Sequence, residues 1–252
     1  DLINGNLGIV KTFTVTFNSN GGTSVAPQDI EDNDKVEKPV DPTKEGYTFL
    51  GWYINGDEKW VFGGYDVTQN ITLTAHWSIN SYTVTYVQNN NQEDLSLSVH
   101  PFTELIQPTK AGYTFAGWFT TINFEENTSV DIMPADNVTL YAKWFIVNYQ
   151  IDYVLDGGIN SISNSNTYTI TTNTITLNDP IKEGYTFLGW YTEDTFINKV
   201  TEITLGTTED MTLYAKWSIN QYTITFDTDG GSSIESITQD YNSLIIVPSN
   251  PT

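Results

Sequence analysis

One string of residues recurs along this chain and restricts its fold more than any other feature. Gly46-Tyr47-Thr48-Phe49-Leu50-Gly51-Trp52 returns as Gly112-Tyr113-Thr114-Phe115-Ala116-Gly117-Trp118, and again as Gly184-Tyr185-Thr186-Phe187-Leu188-Gly189-Trp190. Each copy is followed by an alternating run that ends in tryptophan, at Trp77, Trp144 and Trp217. Each is preceded by an aromatic run that opens at Phe13, Tyr82 and Tyr149. A fourth opening begins at Tyr222 and reaches Pro251-Thr252, the pair that in the first copy, as Pro42-Thr43, leads into Lys44-Glu45-Gly46-Tyr47. Self-similarity of this kind means that one structural unit is used several times. The boundaries it predicts are a leader at 1–12, repeats at 13–77, 82–144 and 149–217, and a truncated fourth repeat at 222–252. The whole is expected to be a piece of a longer protein.

Inside each copy the apolar period is two. Phe13, Val15 and Phe17 alternate with Thr14 and Thr16, and Ile71, Leu73, Ala75 and Trp77 alternate with Thr72, Thr74 and His76. A period of two places one set on the core face of a strand and the other on the solvent face. Lys143 and Lys216 stand at the position of His76 in the later copies. Asn20-Gly21-Gly22, Asp156-Gly157-Gly158 and Asp229-Gly230-Gly231 follow the first strand and predict tight hairpins, because glycine takes positive φ at little cost. Asn89-Asn90-Asn91 fills that place in the second copy. Gly51, Gly117 and Gly189 are expected to let a neighbouring backbone or ring approach the strand.

A unit of roughly 70 residues is near the lower size limit for a single core. Aromatic rings offset this, each burying roughly 150–250 Å². The expected core is Tyr47, Phe49, Trp52 and Trp77, then Tyr113, Phe115, Trp118 and Trp144, then Tyr185, Phe187, Trp190 and Trp217. Four residues join each final tryptophan to the next opening: Ser78 to Ser81, Phe145 to Asn148 and Ser218 to Gln221. None is glycine or proline, so these are not flexible tethers. Short stiff connections predict small domains, each with its own core, strung as an elongated rod.

Charge excludes several roles. Ten lysines face 31 acids, with no arginine, for a net of −21. The repeats at 13–77, 82–144 and 149–217 carry −6, −5 and −6, so acidity is spread evenly rather than gathered at a site. It opposes nucleic acid and anionic lipid, and disfavours acidic polysaccharides as ligands. No run of apolar residues reaches a membrane-spanning length, and Asp1 to Lys11 lack the basic start and apolar stretch of a signal peptide. The absence of cysteine removes disulfides, thiolate metal sites and cysteine nucleophiles. Asp227-Thr228-Asp229-Gly230-Gly231 resembles only the opening of a calcium loop, with no closing glutamate at the twelfth position, so no metal or cofactor is expected.

Phe13-Thr14-Val15-Thr16-Phe17, Asn20-Gly21-Gly22, Lys44-Glu45 leading into the Gly46 string, and Leu213-Tyr214-Ala215-Lys216-Trp217 resemble, in this order and at this period, the Listeria–Bacteroides repeat. The same unit is known as the B repeat of internalin-type surface proteins. The resemblance covers 13–252. It implies a tandem β-grasp fold, similar to ubiquitin: a β-rich α+β domain with a mixed sheet and a short helix. It also implies an extracellular, often wall-attached bacterial protein with adhesive roles. The third copy departs most, with Tyr149-Gln150-Ile151-Asp152-Tyr153 lacking the paired threonines and an insert around Ile159 to Ile175. Gly51-Trp52, Gly117-Trp118 and Gly189-Trp190 are not read as the wall-binding Gly-Trp modules of some internalins, which need positive charge.

Nothing in the inventory points to an enzyme. His76 and His100 sit at non-equivalent places, and His76 falls on a solvent face without a partner of the kind a general base needs. Paired acids such as Asp57-Glu58, Glu125-Glu126 and Glu209-Asp210 read as solvated loops. Lys44, Lys110 and Lys182 recur at one place and could be imagined joining asparagine in a covalent crosslink, but read as surface lysines. Two functions therefore stay open. One is a stalk that projects a binding domain; the other is an interaction module that binds a protein partner, or itself, through strand edges and exposed aromatics. Tyr141, Lys143, Tyr214 and Lys216 are the first candidates for contact, against the plainer reading of a cross-strand pair on the solvent face.

Overall fold

The computed structural model describes residues 10–252, so most of the leader expected at 1–12 lies outside the described residues. The first repeat is a five-stranded mixed sheet. An opening strand Thr12–Asn18 and a closing strand Ile71–Ile79 lie parallel at its centre, with Val15 opposite Ile71 and Phe17 opposite Leu73. Gln28–Glu31 flanks the opening strand antiparallel, and the central-motif strand Tyr47–Ile54 flanks the closing one antiparallel. The short Glu58–Lys59 completes the order second, opening, closing, central, short. The third repeat repeats this order with Thr167–Tyr168, Tyr149–Val154, Met211–Ile219, Tyr185–Tyr191 and Lys199–Val200. So does the second, with Leu95–Val99, Tyr82–Val87, Val138–Ile146, Tyr113–Phe119 and Ser129–Val130. In the fourth, Gln221–Ile224 pairs antiparallel with Ile237–Asp240.

The period-two pattern is realised. Val15 and Phe17 are buried while Thr14 and Thr16 are exposed. Val15, Phe17, Trp52, Leu73 and Ala75 form one core with Ile30, Val36, Trp60 and Val67, all from the first repeat. Ile151, Tyr168, Leu177, Trp190, Ile203, Leu213 and Ala215 form another, all from the third. In the second, Val84, Tyr86, Trp118, Leu140 and Ala142 are buried. Edge-on and tilted rings tie the motif together: Phe49 lies 5.6 Å edge-on from Trp52 and 5.2 Å, tilted, from Trp77, and Phe187 lies edge-on 5.3 Å from Trp190 and 5.4 Å from Trp217. Phe115 meets Trp144 edge-on at 5.4 Å. The indole N–H of Trp190 donates to the Asn178 carbonyl at 3.0 Å, and that of Trp118 to Ile106 at 2.7 Å. Tyr47, Tyr113 and Tyr185 are only half-buried.

Four expectations need correction. Helix is almost absent: the one helical turn among the described residues is the 3-10 segment Glu126–Thr128. The Asn20-Gly21 turn forms, with Asn20 at φ 48° and Gly22 N–H bonded to Ser19 at 3.0 Å, but it does not close a tight hairpin. The chain first crosses to bond Thr23 to Thr43, and only Gln28–Glu31 returns to the opening strand. Gly51 and Gly189 each sit at a bulge in the central strand, at φ +135° and +143°, where a Cβ would strike the methylene stem of Lys59 or Lys199 rather than a backbone or ring. Finally, the supposed linkers are half strand: Ser78 and Ile79 continue the closing strand, and Ser218 and Ile219 do likewise.

Two compact units are distinguishable, one reaching Pro108 and including Ala116–Lys143, the other Thr109–Phe115 with Trp144–Thr252. Among the described residues no helix is long and apolar enough to cross a membrane.

Candidate interaction surface

Lysine on aromatic is the recurring chemistry of the sheet surface. Lys44, Lys110 and Lys182 each hold Nζ over the tyrosine of the central motif, 4.4 Å from Tyr47, 4.4 Å from Tyr113 and 4.2 Å from Tyr185. Each also lies 5.8–5.9 Å from the closing tryptophan, Trp77, Trp144 or Trp217. A cation over a ring face is attracted by the negative quadrupole there. Lys182 further donates to the Asp156 carbonyl at 2.6 Å and to its carboxylate at 3.3 Å, and Lys44 donates to the Asn20 carbonyl at 3.1 Å. The Asn20 side-chain amide is turned away to the Ala75 carbonyl at 3.3 Å, which is not the geometry of a lysine–asparagine crosslink.

The candidate contact residues lie on the solvent face of the closing strand, all half-exposed. Tyr141 stands opposite Val87 on the opening strand. Lys143 holds Nζ 5.1 Å from the Phe119 ring and 5.7 Å from Phe124. In the third repeat Tyr214 stands between Val154 and Tyr191 on its neighbouring strands, and Lys216 sits 5.3 Å from both Tyr191 and Phe196. Val154, Asp156, Lys182, Asp194, Tyr214 and Lys216 line a groove of about 460 Å³ together with Tyr185, Phe196 and Trp217. His76, the counterpart of these lysines, stacks face to face on Tyr53 at 3.9 Å. Tyr214 and Lys216 are thus brought together in one groove, and Tyr141 and Lys143 occupy the equivalent place on another copy. Among the described residues no cluster of three acids or histidines could hold a metal, and Asp227 closes its own turn by accepting the Asp229 N–H at 3.1 Å.

The site that sequence reasoning missed is the junction between copies. Gly46, Gly112 and Gly184 are buried at φ near +75°. Each carbonyl accepts an amide from the following connection, Asn80, Val147 and Asn220, at 2.9 Å in all three. A Cβ on Gly46 would lie 2.7 Å from Pro101, and one on Gly112 would lie 2.5 Å from Ile170. One on Gly184 would enter the ring of Tyr241. The side chain that covers each glycine comes from the next copy. Thr48 and Thr186 hydroxyls reach the Asn80 and Asn220 side chains at 2.6 Å. His100, which is exposed, holds Nδ1 3.0 Å from the Asn80 carbonyl and 3.3 Å from Ser81 Oγ. The available signal was the glycine itself, which recurs before a tyrosine where no hairpin is needed.

Titration is perturbed at few groups. Burial raises the phenols of Tyr86, Tyr153 and Tyr168 above their ordinary value. At the third junction a hydrogen bond to the Glu183 carboxylate raises Tyr241. Glu193 is lowered, first by the Thr192 hydroxyl and then by backbone donors of Asn198 and Ile197.

Comparison with known proteins decides the family. The model of the Listeria–Bacteroides repeat domain matches 13–76, 82–143, 149–216 and 222–252. This chain belongs to the Listeria–Bacteroides repeat family. Two relatives come from Evansella cellulosilytica, one provisionally named a Gly-rich membrane protein (35% identical over 96% of this chain and 28% of that protein) and one a membrane protein (35% over 86% and 33%). A third is Internalin H of Listeria monocytogenes, 36% identical over 54% of this chain and 26% of its own length. The chain spans a third or less of each of these relatives.

Proposed function

We infer that the chain is a non-enzymatic part of a bacterial cell-surface protein, in which the repeats form an extended stalk that projects a binding domain. Each repeat is read as a helix-poor β-grasp unit, since two parallel central strands flanked antiparallel is the strand order that name implies. The names of the relatives, two membrane proteins and an internalin, support an extracellular or wall-associated location. The observation that carries the reading is the junction: the same amide-to-glycine bond at 2.9 Å recurs at three successive connections. Each such bond pins the connection to the repeat it leaves, and a side chain of the next copy, Pro101, Ile170 or Tyr241, covers the same glycine, which supports a stiff joint of the kind a spacer requires. Small-angle scattering on arrays of one, two and three repeats tests it. The maximum dimension should grow by roughly 30 Å per repeat, and a particle that stays compact as repeats are added refutes it.

The groove holding Tyr214 and Lys216 favours a second reading, an adhesive module that contacts a protein partner. Fluorescently labelled array added to host or bacterial cells should then attach, and Tyr214→Ala with Lys216→Ala should lower attachment. Sedimentation as a monomer at high concentration would exclude self-association.

A further inference from the structure

The second repeat has a second-strand edge built differently from its counterparts in the other repeats. Its second strand, Leu95–Val99, has five residues, Leu-Ser-Leu-Ser-Val, with no charge and no proline. It stands last in its sheet, bonded on one side only, to Tyr82–Val87. The corresponding strand of the first repeat carries Asp29 and Glu31, that of the third is two residues long, and that of the fourth ends in Asp240. At the other side of each sheet, Glu58–Lys59, Ser129–Val130 and Lys199–Val200 are two residues each. Charge and shortness are how sheets blunt their edges against strand addition. Leu95–Val99 has neither.

The register shows which backbone groups are available there. Thr83 donates its N–H to the Asn137 side chain at 2.7 Å, just ahead of the closing strand, so the backbone polar groups of Thr83 face that strand. Alternation turns those of Tyr82, Val84 and Tyr86 the other way, onto Val99, Leu97 and Leu95. Ser98 and Ser96, opposite Thr83 and Thr85, therefore present N–H and C=O outward. Both are exposed, and no further backbone bond reaches them among the described residues. Leu95, Leu97 and Val99 lie on the core face against Tyr86, Val84 and Tyr82, and Leu95 is 37% exposed. An added strand would thus meet two outward ladder rungs with an apolar row beside them. Glu93 and Asp94 directly precede the strand and Glu104 follows it, all exposed.

We propose that Leu95–Val99 is a strand-addition site for an extended basic segment of another protein, with apolar residues at alternate positions and lysine or arginine at its ends. The occupant follows from charge: a second copy of this chain would bring another −21 against the acidic flanks, whereas a basic strand is attracted to them. The proposal rests on the interaction reading above and places it at one edge.

The probe is a blocked synthetic peptide, Lys-Lys-Val-Thr-Val-Thr-Val-Lys-Lys, titrated into the whole array and followed by fluorescence anisotropy and hydrogen exchange. The peptide should bind and slow exchange at the Ser96 and Ser98 amides, and its glutamate-for-lysine counterpart should not bind. Ser98→Pro removes one outward donor without touching the bonds to Tyr82–Val87, a position where edge strands accept proline. That variant should melt as the native array does and bind at least about tenfold more weakly. If it misfolds by circular dichroism, Ser98→Lys, which repels the peptide and keeps the backbone, should weaken binding likewise. Native affinity in the folded variant, protection elsewhere, or no binding to the native array overturns the site. The interaction reading falls separately, when the labelled native array fails to attach to cells.

Discussion

The backbone amide of Asn220 donates to the carbonyl of Gly184 at 2.9 Å, and Tyr241 of the fourth repeat lies against the same glycine. Chain direction, a positive φ and the cover from the next copy all depend on one absent side chain. Gly184→Ala should therefore strain the backbone by about 1–2 kcal/mol and expel the Tyr241 ring. Hydrogen exchange at Asn220 and Tyr241 should quicken roughly tenfold, since that is the factor for about 1.4 kcal/mol. Exchange at Leu213, in the core of the third repeat, should stay unchanged.

Leu213 has no exposed surface and belongs to a core drawn wholly from the third repeat. Leu213→Ala should cost about 2–5 kcal/mol there, from lost transfer energy and the cavity left behind. Calorimetry of the native and variant arrays should show one component moving to lower temperature while the component from the first repeat holds its place. A uniform shift of the whole trace would mean that the cores are coupled.

Alkaline pH should weaken the third repeat. Burial of Tyr168, which donates to the Glu209 carbonyl, and of Tyr153, which donates to Ser165 at 2.9 Å, raises both phenols above 10.0. A phenol raised on folding is held protonated, so its contribution is complete below the unfolded value and is lost as pH climbs past 10 and through the folded value. Melting temperature should be level up to about pH 9 and then fall, and Tyr168→Phe should make that fall shallower.

Glu193 predicts the opposite flank. Its carboxylate accepts from Thr192 and from the Ile197 and Asn198 amides, which lowers its pKa. The associated stability is present above the ordinary carboxylate range and is lost as pH falls below it. The loop Thr192–Asn198 should open early on acidification, seen as faster amide exchange at Ile197, and Glu193→Gln should abolish that pH dependence.

Strand alternation was legible because a half-buried strand must alternate: Val15, Phe17, Leu73 and Ala75 are buried where the pattern put them, and Thr14 and Thr16 are exposed. The recurrence of Trp52, Trp118 and Trp190 likewise foretold three buried indoles. What stayed illegible depends on distant chain. Nothing local tells that Gly46 is covered by Pro101, or that Gly51 makes room for the Lys59 stem, since both partners come from other segments. The missing helix was implied by resemblance alone and had no periodic apolar stripe of its own to support it. The outward rungs at Ser96 and Ser98 needed register, and a one-residue slip would have hidden them.

The parallel pairing of the opening and closing strands bears on traction. The chain enters a repeat along Thr12–Asn18 and leaves along Ile71–Ile79, and those two strands are direct neighbours running the same way. Tension on the array would pull them in opposite senses along their shared axis. The bonds between Val15 and Ile71 and onward to Asn18 and Thr74 would then be loaded together in shear instead of being peeled one after another. The two strands would have to slide past each other, breaking several bonds at once, before the repeat could lengthen.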